Sequence, residues 1–144
     1  MANILGIDYG QKYIGYAIGN DITLTSSSTQ GTIIYKNQKK LFQEIQDLVN
    51  EWEVKFIILG LPINMDDTES KMSQEVRGFK EKIEKSLNIE CKLHDERLSS
   101  FEAKEQKEII KKNKVQLNLG IDALAAQVIL ESWLREKSKN VCFH

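Results

Sequence analysis

Carboxylate side chains occur at three places where the sequence pattern predicts that a strand ends or a helix begins. Asp8 closes the short apolar run NILGID, and Asp95 and Glu96 directly follow a second one, IECKLH. Asp122 opens an apolar run with helical spacing. Carboxylates gathered without an excess of basic partners are costly unless a cation binds them. Ligation by oxygen alone favours Mg²⁺ or Mn²⁺ over zinc, so the pattern predicts a divalent-metal site.

Each of these carboxylates also has a purely structural interpretation. Asp8 could belong to a turn that a nearby glycine forms, and Asp122 could be a helix N-terminal residue that the helix dipole favours. Asp95 and Glu96 could form a solvated strand end that pairs with the following arginine. Because a bound cation would explain all three positions at once, the metal site is the favoured interpretation.

The hydrophobic pattern predicts an alternation of strands and helices. The segments NILGIDY, YIGYAIGN and TSSSTQGTIIY are expected to form an antiparallel meander. A helix over KNQKKLFQEIQDLVNEWE and the buried strand KFIILG follow. A helix from about Thr68 to Leu87, the strand IECKLH, a helix from Ser99 and the apolar helix IDALAAQVILESWL complete the order. This order predicts an α/β protein with a mixed sheet and helices on both faces.

The composition is typical of one compact domain, which we expect to span residues 1–144. Of the 144 residues, 41% are hydrophobic and 28% are charged, and the formal net charge is −1. No segment resembles a signal peptide or approaches the roughly 20 apolar residues of a membrane helix. Cys91 and Cys142 match neither a metal site nor a disulfide framework, so we expect a cytoplasmic protein without membrane contact. The small net charge neither indicates nor excludes a nucleic-acid partner, because binding needs only a local basic face.

Four motifs together resemble the YqgF/RuvX family of Holliday junction resolvases and pre-ribosomal RNA nucleases. They are GIDYGQKYIGYA, GLPINM, HDERLSS and DALAAQVIL, in the order and spacing of that family, over roughly residues 3–134. The resemblance implies a ribonuclease H-like domain with a mixed five-stranded sheet. Its strands and helices follow one another along the chain in the order β-β-β-α-β-α-β-α. The resemblance also implies that Asp8, Glu96 and Asp122 are catalytic residues that bind one or two divalent metals. The family loop usually continues as NMDG, whereas Asp67 replaces that glycine here.

Three residues near the carboxylates are candidates for supporting roles. Arg97 could bind a substrate phosphate through its planar guanidinium, or it could pair with the carboxylates when metal is absent. Asn64 follows a strand end that should face the same cleft, so it is a candidate substrate contact. Asp95 is ranked below its neighbour Glu96, and it is expected to support the site by fixing the turn or by contacting a metal ligand.

Glycine and lysine residues extend the candidate substrate-binding surface. Gly10 could let the backbone approach a phosphate group. Equally, it could be an ordinary glycine that only allows the chain to turn between two strands. Lys12 lies in the same turn, where it could contact nucleic acid or be simply solvated. Lys111, Lys112 and Lys114 end the only concentrated basic stretch and are expected to bind phosphate groups.

The resemblance leaves several functions open. The first is a divalent-metal-dependent nuclease that processes the 5′ end of pre-16S rRNA, alone or on a ribosomal precursor particle. The same site could instead resolve branched DNA, and a homodimer rather than a monomer would then make two symmetric cuts. A catalytically silent nucleic-acid-binding module is a further alternative. The GIDYG opening alone would also fit an ATP-binding domain of the actin or sugar-kinase kind.

Overall fold

The secondary structure follows the order that the sequence predicts. A computed structural model describes residues 3–20, 25–62, 70–95 and 118–141, with side chains except at 25–30, 118–124 and 137–141. The elements in this part of the chain are β1 (Asn3–Asp8), β2 (Tyr13–Asn20), β3 (Thr25–Ile34), α1 (Gln38–Glu51), β4 (Val54–Leu61), α2 (Lys71–Leu87), β5 (Glu90–Asp95) and α3 (Asn118–Val141). The helix predicted from Ser99 lies outside the described residues.

The strands form one mixed sheet of five strands in the order β3-β2-β1-β4-β5. β2 pairs antiparallel with both β1 and β3, which confirms the predicted meander. β4 pairs parallel with both β1 and β5. Because parallel strands end at the same edge of a sheet, the carboxyl ends of β1, β4 and β5 lie side by side.

Two apolar clusters cover the two faces of the sheet. Helices α1 and α2 pack on one face, where Leu5 and Ile57 are fully buried. Helix α3 packs on the other face, where Ile4 and Ile58 are fully buried. Side chains alternate along a strand, so even-numbered residues of β1 face α3 and odd-numbered residues face α1 and α2. The prediction of helices on both faces is therefore confirmed.

Local capping explains where the helices begin and end. The side chain of Asn37 accepts a hydrogen bond from the N–H three residues later, and α1 begins directly after it. Ser70 caps α2 in the same way, so α2 begins slightly later than the predicted start near Thr68. At the other end of α2, Asn88 has a left-handed backbone with φ of 53°, a conformation that asparagine tolerates well.

Two expectations from composition can be compared with the described part of the chain. None of the helices there is long and apolar enough to cross a membrane. Cys91 is a buried free thiol, and burial raises its pKa to about 12. A thiol with so high a pKa stays protonated and unreactive in the folded protein, as expected for a cysteine that fills the core.

Helix α3 approaches strand β1 very closely at Gly6. A Cβ atom placed on Gly6 would lie 3.0 Å from the Cβ of Leu130 and 3.2 Å from the carbonyl oxygen of Ala126. Both atoms belong to the middle of α3, so a side chain at Gly6 would push the helix away from the sheet. The glycine therefore determines how closely α3 packs on β1.

Gly6→Ala should lower the free energy of unfolding by about 1–3 kcal/mol, because the added methyl group overpacks the contact with α3. Gly78→Ala in α2 is the matched control, since a Cβ there meets nothing within 4 Å. That control should gain about 0.5–1 kcal/mol from helix propensity. Urea titration of both variants measures the difference. Equal effects of the two substitutions would contradict the close contact at Gly6.

Candidate active site

Asp8 lies at the carboxyl end of β1, on the sheet face that α3 covers. Ile4 packs in the cluster under α3, and Gly6 lies against the same helix. Asp8 is two residues further along the strand and therefore faces the same way. Its side chain is half-buried. The strand thus presents a carboxylate at the edge of the sheet where parallel strands of α/β proteins bind ligands.

The strands on either side of Asp8 carry glycines beside it. Asp8 pairs with Gly15 of β2. On the other side, Ile7 pairs with Leu59 of β4, so the residue beside Asp8 is Gly60. Neither glycine has a side chain that could cover the carboxylate, and both glycines are themselves buried.

The backbone of Asp122 lies over the same sheet face. Asp122 belongs to α3 and precedes Ala126, whose carbonyl oxygen lies over Gly6, by one helical turn. One turn rises about 5.4 Å, so the backbone of Asp122 lies about that far along α3 from the contact with Gly6. The Asp122 side chain lies outside the described part of the structure.

Asp95 reaches the same edge of the sheet as Asp8 but faces the other side. His94 faces α3, because its Nε2 lies 2.8 Å from the Oγ of Ser132 in that helix. Asp95 is the next residue, pairs in register with Leu61 of β4, and therefore faces the α1 and α2 side. This placement is compatible with a supporting role for Asp95, which stays a prediction.

His94 is a buried polar residue to which the sequence analysis assigned no role. It is 5% exposed and lies in register with Gly60 on the face that α3 covers. Burial lowers the pKa of His94, although the carboxylates of Glu136 and Asp95 act in the opposite direction. The imidazole is therefore neutral at pH 7 and hydrogen-bonded to α3. Its position at the end of an apolar strand was the only sequence signal that could have revealed it.

The turn after Asp8 is tight at Gly10 and is joined at Lys12 to the residues before α1 by a backbone hydrogen bond. A Cβ atom on Gly10 would lie 2.5 Å from the carbonyl oxygen of Tyr13, so a side chain there would force the backbone to move. The N–H of Tyr35 donates a hydrogen bond of 2.8 Å to the carbonyl of Lys12, whose side chain is exposed. Gly10 is therefore needed for the shape of the turn, and the substrate contacts predicted for Gly10 and Lys12 stay predictions.

The remaining predicted site residues lie outside the described residues. They are Asn64, Glu96, Arg97, Lys111, Lys112 and Lys114. Of the predicted triad, only Asp8 has a described side chain. Among the side chains that the structure describes, no group of three or more His, Cys, Asp or Glu residues could hold a metal ion.

Known proteins resemble this chain over nearly its whole length. The model of the RuvX family, described as Holliday junction resolvase, matches residues 2–136. A protein from Pseudomonas savastanoi pv. phaseolicola is 39% identical over 92% of this chain and 91% of its own length. One from Azotobacter vinelandii is 35% identical over 93% of this chain and 94% of its own length. Both relatives are named "Putative pre-16S rRNA nuclease".

Two solved structures share the fold. The chain aligns with T. thermophilus RuvC in complex with a Holliday junction substrate, with a TM-score of 0.64 and 9% identity over 96% of both chains. A second Thermus thermophilus RuvC structure gives a TM-score of 0.56 and 10% identity over 95% of this chain and 96% of that one. At such low identity the likeness is one of fold alone, and it confirms the expected ribonuclease H-like fold.

The hydrogen-bonded His94 should make the protein less stable in acid. Its pKa is lowered in the folded state, while the unfolded chain keeps a value of about 6.5. Below about pH 6.5 the unfolded chain therefore binds a proton that the folded chain does not. Stability is lost as the pH falls, by up to about 1.4 kcal/mol for each pH unit.

His94→Gln isolates this effect, because glutamine can still hydrogen-bond Ser132 but does not titrate. Urea unfolding of the wild type and the variant at about pH 7.5 and pH 5.5 gives the comparison. The wild type should lose more free energy of unfolding than the variant over this interval. Identical losses in both proteins would show that His94 does not resist protonation.

Proposed function

Because this chain belongs to the RuvX family, we propose that it is a nuclease that processes the 5′ end of pre-16S rRNA. The observation that carries the proposal is Asp8, a carboxylate at the carboxyl end of β1 on the face covered by α3, the helix that contains Asp122. The name of its relatives supports structured RNA as the substrate. A ribosomal precursor particle in the cytoplasm is the proposed setting.

Asp8, Glu96 and Asp122 are the proposed catalytic residues and ligands of Mg²⁺ or Mn²⁺. Their carboxylate oxygens suit these hard cations, and Nε2 of His94 is engaged by α3. Asp95 faces away from Asp8, so Glu96, which follows Asp95 directly, is proposed as the ligand from this part of the chain. Asp95 itself would support the turn.

The chemistry that a bound divalent cation supplies at such carboxylates is activation of a water molecule and stabilisation of the leaving oxygen during in-line attack. The carboxylate of Asp8 alone would repel a substrate phosphate, so its role is to hold positive charge at the end of β1. The residues beside it, Gly15 and Gly60, carry no side chain that would compete with a bound group for its carboxylate.

Other residues would bind the substrate rather than take part in bond cleavage. Lys12 is exposed in the turn after Asp8, where its ammonium can attract a phosphate. Gly10 would keep that turn in shape. Asn64 and Arg97 are proposed as contacts near the cleaved bond. Contacts to more distant phosphates are proposed for Lys111, Lys112 and Lys114.

Resolution of branched DNA is a second candidate function, favoured by the description of the family. The same carboxylates would then act on DNA strands at a junction. Symmetric cuts require two active sites, so this activity predicts a homodimer, whereas RNA processing works equally with a monomer. A silent binding module would retain nucleic-acid affinity without cleavage.

Asp8→Asn tests the proposed function, because it removes the charge while keeping the shape of the side chain. Cleavage of labelled pre-16S rRNA with Mg²⁺ or Mn²⁺ should fall by about 100-fold or more. Asp47→Asn is the matched control, since Asp47 is an exposed carboxylate on α1 that hydrogen-bonds Gln43. That variant should cleave like the wild type. Either cation should also raise the melting temperature of the wild type more than that of Asp8→Asn.

A labelled four-way DNA junction, incubated in parallel, distinguishes the candidate functions. Cleavage of the RNA alone supports processing, whereas paired symmetric cuts in the junction support the resolvase. If both substrates bind and neither is cut, the chain is a binding module and the nuclease proposal is wrong. Full activity of Asp8→Asn would also overturn the proposed catalytic role of Asp8.

A further inference from the structure

A small cavity opens at the carboxyl end of β1, on the face opposite Asp8. Its volume is about 210 Å³, and it lies between β1, the segment before α1, and helices α1 and α2. Three aromatic side chains, Tyr9, Tyr35 and Phe79, and three polar ones, Gln38, Glu75 and Lys82, contribute to its lining. The function proposed above gives this cavity no role.

The size and lining of the cavity restrict what can bind there. Pockets for drug-sized ligands measure roughly 300–1,000 Å³, so this one suits a single ring system rather than a whole nucleotide. Aromatic side chains bind unstacked bases of single-stranded RNA by stacking, while polar groups bind the base edges. The amide of Gln38 and the charged groups of Glu75 and Lys82 supply such polar partners.

Tyr9 forms a rigid wall of the cavity. Its ring packs on Phe79 of α2, with ring centroids 4.5 Å apart and an angle of 38° between the planes. Phe79 is itself held by Phe42 of α1, at 5.9 Å between centroids. Burial, together with the nearby charge of Glu75, raises the pKa of Tyr9, so its hydroxyl remains a hydrogen-bond donor at neutral pH. A wall fixed in this way loses little entropy when a ligand binds.

Tyr35 forms the accessible wall and connects the cavity to the turn after Asp8. Tyr35 is 38% exposed, so part of its ring is accessible to a ligand. Its N–H is bonded to the carbonyl of Lys12, 2.8 Å away, so the ring is attached at a fixed point beside that turn. The ring is therefore available for stacking without a rearrangement of the backbone.

Tyr9 follows Asp8, the last residue of β1, and its ring packs on Phe79 of α2, whereas Asp8 lies on the face that α3 covers. A nucleic-acid strand that crosses this edge can thus place a phosphate near Asp8 and a neighbouring base near Tyr9. Exposed lysines lie along the same path, with Lys12 in the turn, Lys36 after Tyr35 and Lys82 in the cavity wall. The positive charges of these lysines attract the phosphate groups of the nucleic-acid backbone.

We propose that this cavity binds one unstacked nucleobase of the RNA substrate, adjacent to the phosphate that is cleaved at Asp8. The placement of the cleaved phosphate rests on the proposed nuclease function. Base binding does not, because it can be measured without cleavage. The aromatic walls, the small volume and the neighbouring lysines each fit a base attached to a phosphate backbone.

Fluorescence anisotropy with short labelled single-stranded RNAs tests the cavity, in EDTA so that no strand is cut. Abasic nucleotides are introduced at each position in turn. Removal of one particular base should weaken wild-type binding by about 5- to 100-fold, the loss typical of a base stacked on an aromatic ring. Tyr35→Ala should bind the intact RNA more weakly by a similar factor and should be insensitive to the abasic substitution.

Three further variants make the test specific. Tyr35→Trp should bind like the wild type, because it keeps the stacking surface. Gly78→Leu should fill the cavity and weaken binding as Tyr35→Ala does, since Gly78 lines the cavity and a Cβ there meets nothing within 4 Å. Ile34→Ala is the matched control, because Ile34 is 53% exposed beside Tyr35 but lines a different cavity. Unfolding midpoints of all variants are measured alongside.

The outcomes separate this inference from the proposed function. One outcome overturns the base site alone. In that outcome the wild type cleaves pre-16S rRNA, removal of any single base leaves binding unchanged, and Tyr35→Ala and Gly78→Leu bind RNA like the wild type. A position-specific abasic effect that both variants abolish supports the base site, whether or not the RNA is cleaved. Equal weakening by Ile34→Ala would mean that a general surface effect, rather than the cavity, is responsible, and would overturn the inference.

Discussion

The contact between α3 and Gly6 is the packing constraint on which the candidate active site depends. A helix can bring a carboxylate to the end of a neighbouring strand only if two quantities are fixed. They are the separation between the helix and the sheet and the position of the helix along that strand. Here the backbone of Ala126 and the side chain of Leu130 rest directly on a residue without a side chain. Any larger residue at Gly6 would push the helix away and shift the backbone of Asp122 relative to β1. The proposed site therefore depends on this glycine as well as on its carboxylates.

The register of β5 against β4 is the second constraint, because it determines which residues of β5 face α3. His94 pairs beside Gly60 and contacts Ser132 in α3, which turns Asp95 towards α1 and α2. A shift by one residue would reverse every side chain in β5 and turn Asp95 towards α3. The buried hydrogen bond to Ser132 opposes such a shift, since a displaced His94 would lose its partner. The histidine therefore helps to hold β5 in register beside the candidate site.

Much of the fold could be predicted from the sequence, because its signals are local. The buried run of β4 and the helical spacing of α1 identify these elements directly, and Asn37 and Ser70 mark helix starts. The ends of β1 and β5 were also predictable, and with them the positions of Asp8 and Asp95 along the chain. The face that Asp95 takes was not, because it depends on pairing with a distant strand. The cavity at Tyr35 was unpredictable for the same reason, since its walls come from three separate segments of the chain.

The proposals above divide two physically different tasks between the two faces of the sheet at one strand end. The face under α3 carries Asp8, where negative charge is useful only if a cation neutralises it. The face towards α2 carries Tyr9 and the cavity, with the exposed Lys82 in its wall. Tyr9 follows Asp8 directly at the end of β1 and packs on Phe79 of α2. In the proposed complex, a substrate that spans this edge would contact both faces, and exposed lysines would attract it locally to a chain with a net charge of −1.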